Sequence, residues 1–198
     1  MDASPDGTEV PLYEALAPWL NGKFGVPIAA ISTLDSDDDW TFVIKTHALI
    51  EAALNQLIVD ALKHDSLHEI VSWMDTGDRR KGKLAFVKAL DLLPSSARQF
   101  ITIMSNLRND SLHEIKNLNF TFTAWINGLS KEAKENFAAS LAFSTKEVVG
   151  WHKEEMSRQQ FAIRYPRDAI TLSVLTILTR VEALHQNENG PSESIPKE

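Results

Sequence analysis

The sequence predicts an all-α fold, an antiparallel helical bundle, from three observations. Apolar residues recur at alternating spacings of three and four over two long segments, Trp40–Leu62 and Ile170–Leu184. Residues that favour helix starts and helix stops flank most of the helical segments. Alternation of apolar and polar residues, which is typical of strands, is confined to a short stretch around Phe120. These features favour helices packed on helices around one core.

The N-terminal region is predicted to contain a tail, a short helix and a chain break. Residues 1–8 are predicted to be a disordered tail, and Glu9–Leu20 a short amphipathic helix with Pro11 in its first turn. Helix-breaking residues then follow at Gly22, Gly25 and Pro27. The acidic run Asp35–Asp39 predicts the start of a long helix, because carboxylates are favoured at the N-terminal end of the helix dipole.

The segment Trp40–Leu62 carries the clearest helical pattern. One face is spaced by alternating steps of four and three and consists of Val43, His47, Ile50, Leu54, Leu57 and Ala61. Further apolar residues widen this face, so the helix is predicted to be largely buried. His47 is predicted to be a core histidine with one hydrogen-bond partner, or a residue that faces a partner subunit.

The middle of the chain is predicted to contain two further helices. Thr76–Asp78 is predicted to be a turn, and Lys83–Leu93 a helix that Pro94 closes. Ser95 and Ser96 are predicted to cap the next helix. Its apolar positions include Phe100, Ile101, Met104 and Leu107.

The segment after this helix is the least helical in pattern. In Asn117–Thr123 two phenylalanines alternate with two threonines, which permits a short extended segment. Lys131–Phe143 and Thr145–Gln160 are predicted to be helical.

The last predicted helix has Pro166 in its first turn. Its apolar stripe consists of Ile170, Val174, Ile177, Val181 and Leu184. Residues 186–198 are polar and are predicted to be a disordered tail. A single domain is therefore predicted over residues 9–185.

Composition and charge restrict the classes of function. The 198-residue chain has no cysteine, which excludes disulfides, thiolate metal sites and a cysteine nucleophile. The N-terminus is unlike a signal peptide and no uninterrupted apolar run approaches about 20 residues, so a soluble cytoplasmic protein without a membrane partner is expected. The net charge is −7, but the stretch from Arg79 to Lys116 carries +5 and the rest −12. A polyanion would find one favourable region, although the charges of Arg79–Lys83 taken alone favour a solvated basic turn.

Two other patterns have weak chemical content. The segments Asp65–Ile70 and Asp110–Ile115 are identical in six residues, which leaves open a shared local role, such as ending a long helix, or coincidence. His64 and His68 could share a helix face towards a divalent ion, but without a third ligand nearby a solvated helix end is favoured. The sequence has no Gly-rich phosphate loop, no nucleophile elbow and no His-Glu-x-x-His zinc motif.

Arg108 and His113 are the residues best suited to chemistry. A guanidinium can bind two phosphate oxygens and stabilise the charge of a transition state. A histidine can accept or donate a proton near neutral pH. RNA supplies its own nucleophile, the 2′-hydroxyl, so the pair is suited to cleaving a phosphodiester without a metal.

The segment Arg108–His113 resembles the signature of the HEPN superfamily, which includes many prokaryotic RNA-cleaving toxins and defence effectors. That signature is Arg, often followed by Asn, Asp or His, and then His after four to six intervening residues. Here Asn109 follows Arg108 and four residues intervene. Thr46–Asn55 resembles the long first helix of family members, and Lys83–Pro94 the helix after it. The resemblance covers roughly residues 40–115 and implies a HEPN-type bundle with accessory helices.

The resemblance implies a metal-independent endoribonuclease that needs no cofactor and yields a 2′,3′-cyclic phosphate and a 5′-hydroxyl. The implied catalytic residues are Arg108 to hold the phosphate, His113 as acid or base, and Asn109 to orient either one. Glu51 is expected to position Arg108, and the other supporting residues are Asp110 and Ser111. The implied RNA-binding residues are Arg79, Arg80, Lys81 and Lys83. The expected partners are RNA, a second copy of the chain in a homodimer, and an antitoxin or defence-system protein.

Ile115 departs from the family pattern, and a second Arg-to-His spacing occurs in the chain. Members paired with nucleotidyltransferase antitoxins often carry a tyrosine where Ile115 stands, so an antitoxin acting on that residue is not expected. Arg180 and His185 repeat the same spacing without a polar residue after the arginine.

The alternative function is a noncatalytic helical regulator or RNA- or protein-interaction module, similar to the mannitol-repressor type. The alternative role for the pair is structural, with a capping His113 and a salt bridge from Arg108 to Asp110, Glu114 or Glu51.

The spacing of the pair also constrains its geometry. Residues five apart on an ideal helix differ by about 140° around the axis, so Arg108 and His113 cannot point the same way on a straight helix. Either the helix ends or bends near Asp110, or the site is assembled from two chains. The resemblance implies the second, because HEPN domains commonly dimerise with both motifs facing a shared cleft.

Overall fold

A computed structural model of the chain describes residues 22, 34, 36–78, 80–113 and 119–189, with backbone only for 112–113 and 185–189. The predicted tail at residues 1–8 and the predicted helix Glu9–Leu20 lie outside the described residues.

The described chain is mainly helical, as predicted, with one small sheet that was not predicted. Its first half consists of α1 (Asp39–Leu62), a 3₁₀ turn (Asp65–Leu67), α2 (His68–Ser72), α3 (Lys83–Ala89) and α4 (Ser95–His113). Its second half consists of α5 (Phe122–Gly128), α6 (Lys131–Ser140), a 3₁₀ turn (Leu141–Phe143), β1 (Val148–Trp151), β2 (Glu154–Ser157), α7 (Arg158–Arg164) and α8 (Pro166–Asn189).

Helix α1 is the central helix of the core and confirms the predicted helix Trp40–Leu62. The carboxylate of Asp38 accepts a hydrogen bond from the backbone N–H of Thr41 at 3.0 Å, which caps the helix within the predicted acidic run. The helix ends at Lys63, whose φ of 55° is left-handed. By length and composition α1 could cross a membrane, but 61% of its most apolar window is buried inside the protein, as expected of a core helix.

The long helices do not all alternate in direction. The indole Nε1 of Trp40, at the start of α1, donates to the backbone carbonyl of Ser111, near the end of α4, at 3.1 Å. These two helices are therefore antiparallel. Arg167, at the start of α8, pairs with Asp39 at the start of α1, at 2.9 Å. Helices α1 and α8 pack closely along each other and run in the same direction, so the bundle is not antiparallel throughout.

The predicted helix Thr145–Gln160 is wrong over most of its length. Strands β1 and β2 form an antiparallel hairpin there, in the register Val148↔Ser157 to Trp151↔Glu154. The two residues of its turn have left-handed φ values of 47° and 67°, as a type I′ hairpin turn requires. Helix α7 begins only at Arg158, after a capping box between Ser157 and Gln160.

Several predicted boundaries also move. Phe122 and Thr123 are helical rather than extended, because the hydroxyl of Thr121 accepts from the N–H of Ala124 and starts α5. Helix α3 ends at Ala89, earlier than predicted, and the chain turns at Asp91 with a φ of 50°. Helix α4 begins at Ser95 itself. Helix α8 includes residues 186–189, which were assigned to the tail, and the rest of that tail lies outside the described residues.

Candidate functional site

The predicted motif lies on the C-terminal part of α4. This helix runs without interruption from Ser95 to His113, so the alternative in which it ends near Asp110 is wrong. Leu107 and Ser111 face the core, whereas Asn109 and Asp110 are exposed and Arg108 is half-buried. The side chain of His113 is outside the description, and its role stays a prediction.

Arg108 is not held by a carboxylate in the described part of the chain. Its Nη1 donates to Oδ1 of its neighbour Asn109 at 3.0 Å, and no described Asp or Glu forms an ion pair with it. The alternative in which Arg108 forms a salt bridge with Glu51 or Asp110 is therefore wrong. Its third candidate partner, Glu114, lies outside the described residues. The guanidinium is left with a positive charge that the described side chains do not neutralise.

Glu51 is the centre of a polar cluster that the sequence did not predict, and the other members of this cluster are buried. We call His47, Glu51, Thr76, Lys83 and Ser105 the Glu51 cluster. The Glu51 carboxylate accepts from the hydroxyl of Thr76 at 2.7 Å and lies 3.9 Å from Nζ of Lys83 and 3.7 Å from Nδ1 of His47. Glu51 thus contacts Lys83 and His47 rather than Arg108. The i, i+4 spacing of His47 and Glu51 was the only sequence signal for it.

Lys83 corrects part of the predicted RNA-binding turn. Its side chain is 2% exposed, and its Nζ donates to the backbone carbonyl of Ser72 at 3.5 Å. Burial lowers the pKa of Lys83, and the charges of Glu51 and Asp75 oppose that shift. Lys83 enters the interior because its ammonium finds a carboxylate there, so it cannot be a solvated residue that contacts RNA directly.

His47 confirms the predicted core histidine with a hydrogen-bond partner. Its Nε2 lies 3.3 Å from the hydroxyl of Ser105 on α4. Burial lowers the pKa of His47, the carboxylate of Glu51 opposes this shift, and the positive charges of Arg108 and Lys83 add to it. The imidazole is therefore neutral near pH 7, and its electrostatic interaction with Arg108 links the Glu51 cluster to the motif.

The remaining predicted RNA-binding residues lie on an exposed loop beside α4. The carboxylate of Asp78 accepts from the backbone N–H groups of Arg80 at 2.8 Å and Lys81 at 3.1 Å, and these bonds lower its pKa. The side chains of Arg80 and Lys81 are exposed, and Arg79 lies outside the described residues. A Cβ atom on Gly77 would lie 3.5 Å from Cβ of Ser105, so the loop rests on α4 about one turn before Arg108.

A groove of about 320 Å³ opens on another side of α4. One wall is formed by Leu107, Asp110 and Ser111, and the opposite wall by residues of the segment 119–125, among them Asn119, Phe120 and Trp125. This places the two predicted supporting residues Asp110 and Ser111 in a cavity, away from the side of the helix that carries Arg108.

The other sequence patterns have separate structural roles. Asp65–Leu67 forms a 3₁₀ turn after α1, whereas the matching residues 110–112 lie inside a continuous α-helix, so these three positions differ in conformation between the two copies. Nε of Arg180, in the second Arg-to-His spacing, donates to the carbonyl of Leu92 at 3.1 Å. Within the described residues no three His, Asp or Glu side chains are grouped to hold a metal ion.

Comparison with known proteins assigns neither a family nor a function to this site. The chain matches no family model, no curated protein sequence and no solved structure.

Proposed function

We propose that the protein is a metal-independent endoribonuclease of HEPN type, acting in the cytoplasm as a toxin or defence effector. The observation that supports this most is the guanidinium of Arg108, which is bound to Asn109 and to no described carboxylate. Glu51, one of the carboxylates with which a purely structural Arg108 was expected to pair, contacts Lys83 and Thr76 instead.

The proposed reaction needs one electrostatic group and one proton-transfer group at each step. The 2′-oxygen of the RNA attacks the adjacent phosphorus and the bond from phosphorus to the 5′-oxygen breaks, which gives a 2′,3′-cyclic phosphate and a 5′-hydroxyl. Arg108 would bind the phosphate oxygens and stabilise their added charge, with its guanidinium oriented by Asn109. His113 would accept the 2′-hydroxyl proton or donate a proton to the leaving 5′-oxygen.

The continuous helix favours a site made from two chains. Positions 108 and 113 lie about 140° apart around α4 and cannot address one phosphate from the same side. In a homodimer, Arg108 of one protomer and His113 of the other would face the same phosphodiester across a shared cleft. The catalytic pair would then depend on dimer formation.

The RNA backbone would approach along the loop that rests on α4. Arg80 and Lys81 are exposed on this loop, whose Gly77 rests on α4 about one helical turn before Arg108, and they would bind phosphates on either side of the cleaved bond. Lys83 would not contact RNA. It would stabilise this loop by contacting Glu51, whose carboxylate accepts a hydrogen bond from Thr76 in the loop. An antitoxin or defence-system partner would control the enzyme by covering this face.

Purified wild-type protein, Arg108→Ala and His113→Ala test the proposal on a labelled RNA without added metal and with EDTA. We expect the wild type to produce cyclic-phosphate ends and either variant to lose at least about 100-fold in rate, because each removes a group used in the transition state. Matched controls are Arg180→Ala, from the second Arg-to-His spacing, and His68→Ala, from the near-repeat. Both should cleave at the wild-type rate, and equal rates for all five proteins would overturn the proposal.

A noncatalytic interaction module is the second candidate, and one observation favours it. Trp73 is 84% exposed and Ile70 is 62% exposed, both near the end of α2. Two large apolar side chains that close to each other on a surface are typical of a protein-binding patch. If the wild type produces no cleavage while Trp73→Ser abolishes capture of a cellular protein, this second candidate replaces the first.

A further inference from the structure

Trp73 is a large aromatic side chain that the fold leaves uncovered. It follows α2 directly and is 84% exposed. Ile70, three residues earlier, is 62% exposed, whereas Val71 between them is buried and holds this short helix on the core. Among the described residues no aromatic ring and no guanidinium packs against the indole of Trp73. The indole is therefore available to a ligand.

The backbone at Trp73 is fixed beside the base of the loop between α2 and α3. The N–H of Lys83 donates to the carbonyl of Asp75 at 2.9 Å, which closes this loop. Trp73 and Lys81 are each two residues from that bond, and residues two apart in a chain have Cα atoms no more than about 7 Å apart. Nζ of Lys83 also donates to the carbonyl of Ser72, the residue before Trp73, at 3.5 Å. The indole and the ammonium of Lys81 therefore belong to one surface of the protein.

The acidic side chains of this loop bind its own backbone, whereas its described basic side chains are exposed. Between positions 75 and 82 the sequence has three basic and two acidic residues. The carboxylate of Asp75 accepts from the N–H of Asp78 at 2.6 Å, and that of Asp78 accepts from the N–H groups of Arg80 and Lys81. No described carboxylate forms an ion pair with Arg80 or Lys81. Positive groups beside an exposed aromatic ring favour a ligand with anionic groups next to flat rings, and single-stranded RNA is such a ligand.

We propose that Trp73 is a stacking site for an unpaired base of the RNA, next to phosphates that Arg80 and Lys81 bind. The proposal rests on the proposed ribonuclease function for the class of its ligand. Every base has a flat face, so this contact selects strands without base pairing and does not select a sequence. A base in a duplex is paired and stacked between its neighbours, so it does not reach the indole. Trp73 holds the substrate and does no chemistry on the phosphate.

Binding of an RNA analogue that cannot be cleaved tests the stacking site. A fluorescent 2′-O-methyl oligonucleotide of about 12 nucleotides has no 2′-hydroxyl nucleophile and is long enough for a typical single-strand site. Its affinity for the full chain is measured by anisotropy, as a single strand and as a duplex. We expect Trp73→Ala to bind the single strand about tenfold more weakly than the wild type, Trp73→Phe to keep most of the affinity, and all three proteins to bind the duplex equally. The matched control is Val148→Ala, which removes an apolar side chain that is 57% exposed on β1 and should bind as the wild type does.

The salt dependence of this binding separates stacking from electrostatic contacts. Stacking neutralises no phosphate, so Trp73→Ala should keep the wild-type slope of the logarithm of affinity against the logarithm of salt concentration. Arg80→Ala should reduce that slope by about 0.7, the value for one phosphate contact on a single strand. A general distortion of the surface by Trp73→Ala would instead change both the affinity and the slope.

Unchanged single-strand affinity in Trp73→Ala, an equal loss on the duplex, or a Trp73→Phe variant as weak as Trp73→Ala would overturn the stacking site. A wild type that binds no single strand would also overturn it, and a dimer that Trp73→Ala converts to monomers would then assign the indole to a protein contact. Cleavage of natural RNA with the same KM in the wild type and Trp73→Ala rejects the stacking site and leaves the ribonuclease function standing. Single-strand binding that depends on Trp73, without cleavage of any RNA, supports the stacking site and rejects the ribonuclease function.

Discussion

At the scale of single residues, the interior holds two ionisable side chains that depend on one carboxylate. His47 and Lys83 are both buried, and both lie within 4 Å of Glu51, whose side chain is 39% exposed. A buried charge is costly unless it is paired, and the carboxylate of Glu51 opposes the effect of burial on the pKa of both His47 and Lys83. Because His47 is neutral, it does not add a third positive charge to those of Arg108 and Lys83.

The stability of the fold should fall in mildly acidic solution because of His47. Burial lowers the pKa of His47 below its ordinary value of 6.5, so the unfolded chain binds this proton more readily than the folded one. The contribution is complete above the ordinary value and is lost as pH falls towards the folded value. In urea titrations at pH 7.5 and 5.5, the wild type should lose free energy of unfolding and His47→Gln should lose much less.

Lowered pKa values of carboxylates act in a separate range of pH. Hydrogen bonds lower the pKa of Asp38 and Asp78 from the ordinary value of 3.8, so their contributions are lost only below about pH 4. They remain ionised between pH 7.5 and 5.5. An equal loss of stability in the wild type and His47→Gln over that interval would contradict the assignment.

Substitutions of Glu51 and of Lys83, the two partners of one ion pair, should lower the free energy of unfolding by different amounts. Glu51→Gln leaves the ammonium of Lys83 buried without an opposite charge, and we expect a cost of about 1–3 kcal/mol in the free energy of unfolding, reduced from a fully buried pair by the exposure of Glu51. Lys83→Met leaves a carboxylate that solvent reaches, and should cost less than about 1 kcal/mol. Chemical denaturation at pH 7.5 measures both, and the reverse order would show that Lys83 is not stabilised by Glu51.

At the scale of elements, the loop between α2 and α3 positions the basic side chains beside α4. Gly82 makes its tight path possible. A Cβ atom at this position would lie 2.3 Å from the backbone carbonyl oxygen of Asp75 and 2.7 Å from that of Asp78. Only a glycine can approach both carbonyls so closely, and the next residue, Lys83, then enters the interior.

Gly82→Ala should therefore open this loop. Because the obstruction is backbone, the chain must move, and we expect a loss of about 1–3 kcal/mol in the free energy of unfolding with faster amide exchange at residues 75–82. Gly150→Ala is the matched control, since nothing lies within 4 Å of a Cβ atom there. A Gly82→Ala variant as stable as Gly150→Ala would show that the loop does not take this path.

The helices that the sequence predicts well are those whose pattern is local. In α1 the stripe of apolar residues and the acidic start are both contained in one segment, and both are confirmed. The hairpin at β1 and β2 was missed because its turn residues, His152 and Lys153, are neither glycine nor asparagine and still adopt left-handed φ. Its sequence is also rich in residues that favour helices.

For the candidate site, the sequence placed the motif on α4 but could not place its surroundings. The burial of Lys83 depends on Glu51, which is 32 positions away in the chain, and no local pattern encodes that pairing. The wall of the groove at Asn119–Trp125 likewise meets Asp110 only through the packing of α5. Contacts between distant segments are set by the whole core, and a single-sequence pattern does not report them.

At the scale of the whole molecule, one arginine joins the starts of three helices. Arg167 at the start of α8 pairs with Asp39 of α1 at 2.9 Å and donates to the backbone carbonyls of Asp37, at 2.8 Å, and of Leu34. The other oxygen of Asp39 accepts from the backbone N–H of Phe122 at the start of α5, at 2.7 Å. The guanidinium also lies over the ring of Phe42, 4.5 Å from its centre.

Loss of this junction should destabilise the entire fold. For Arg167→Ala we expect a decrease of about 2–4 kcal/mol and a thermal midpoint lower by roughly 5–10 °C, because a partly buried carboxylate and two carbonyls lose their donor. Arg164→Ala is the control, since its pair with Glu154 at 2.6 Å is on the surface and should contribute less than about 1 kcal/mol. Equal midpoints for the two variants in scanning calorimetry would contradict the role of Arg167.

The central claim is that Arg108 and His113 from different chains form one ribonuclease site. The most direct measurement mixes two inactive variants, Arg108→Ala and His113→Ala, after co-refolding them in equal amounts. A two-chain site predicts recovery of about a quarter of wild-type RNA cleavage, because half of the dimers are mixed and each mixed dimer has one complete site. If the mixture stays as inactive as each variant alone while mixed dimers are shown to form, the shared site is contradicted.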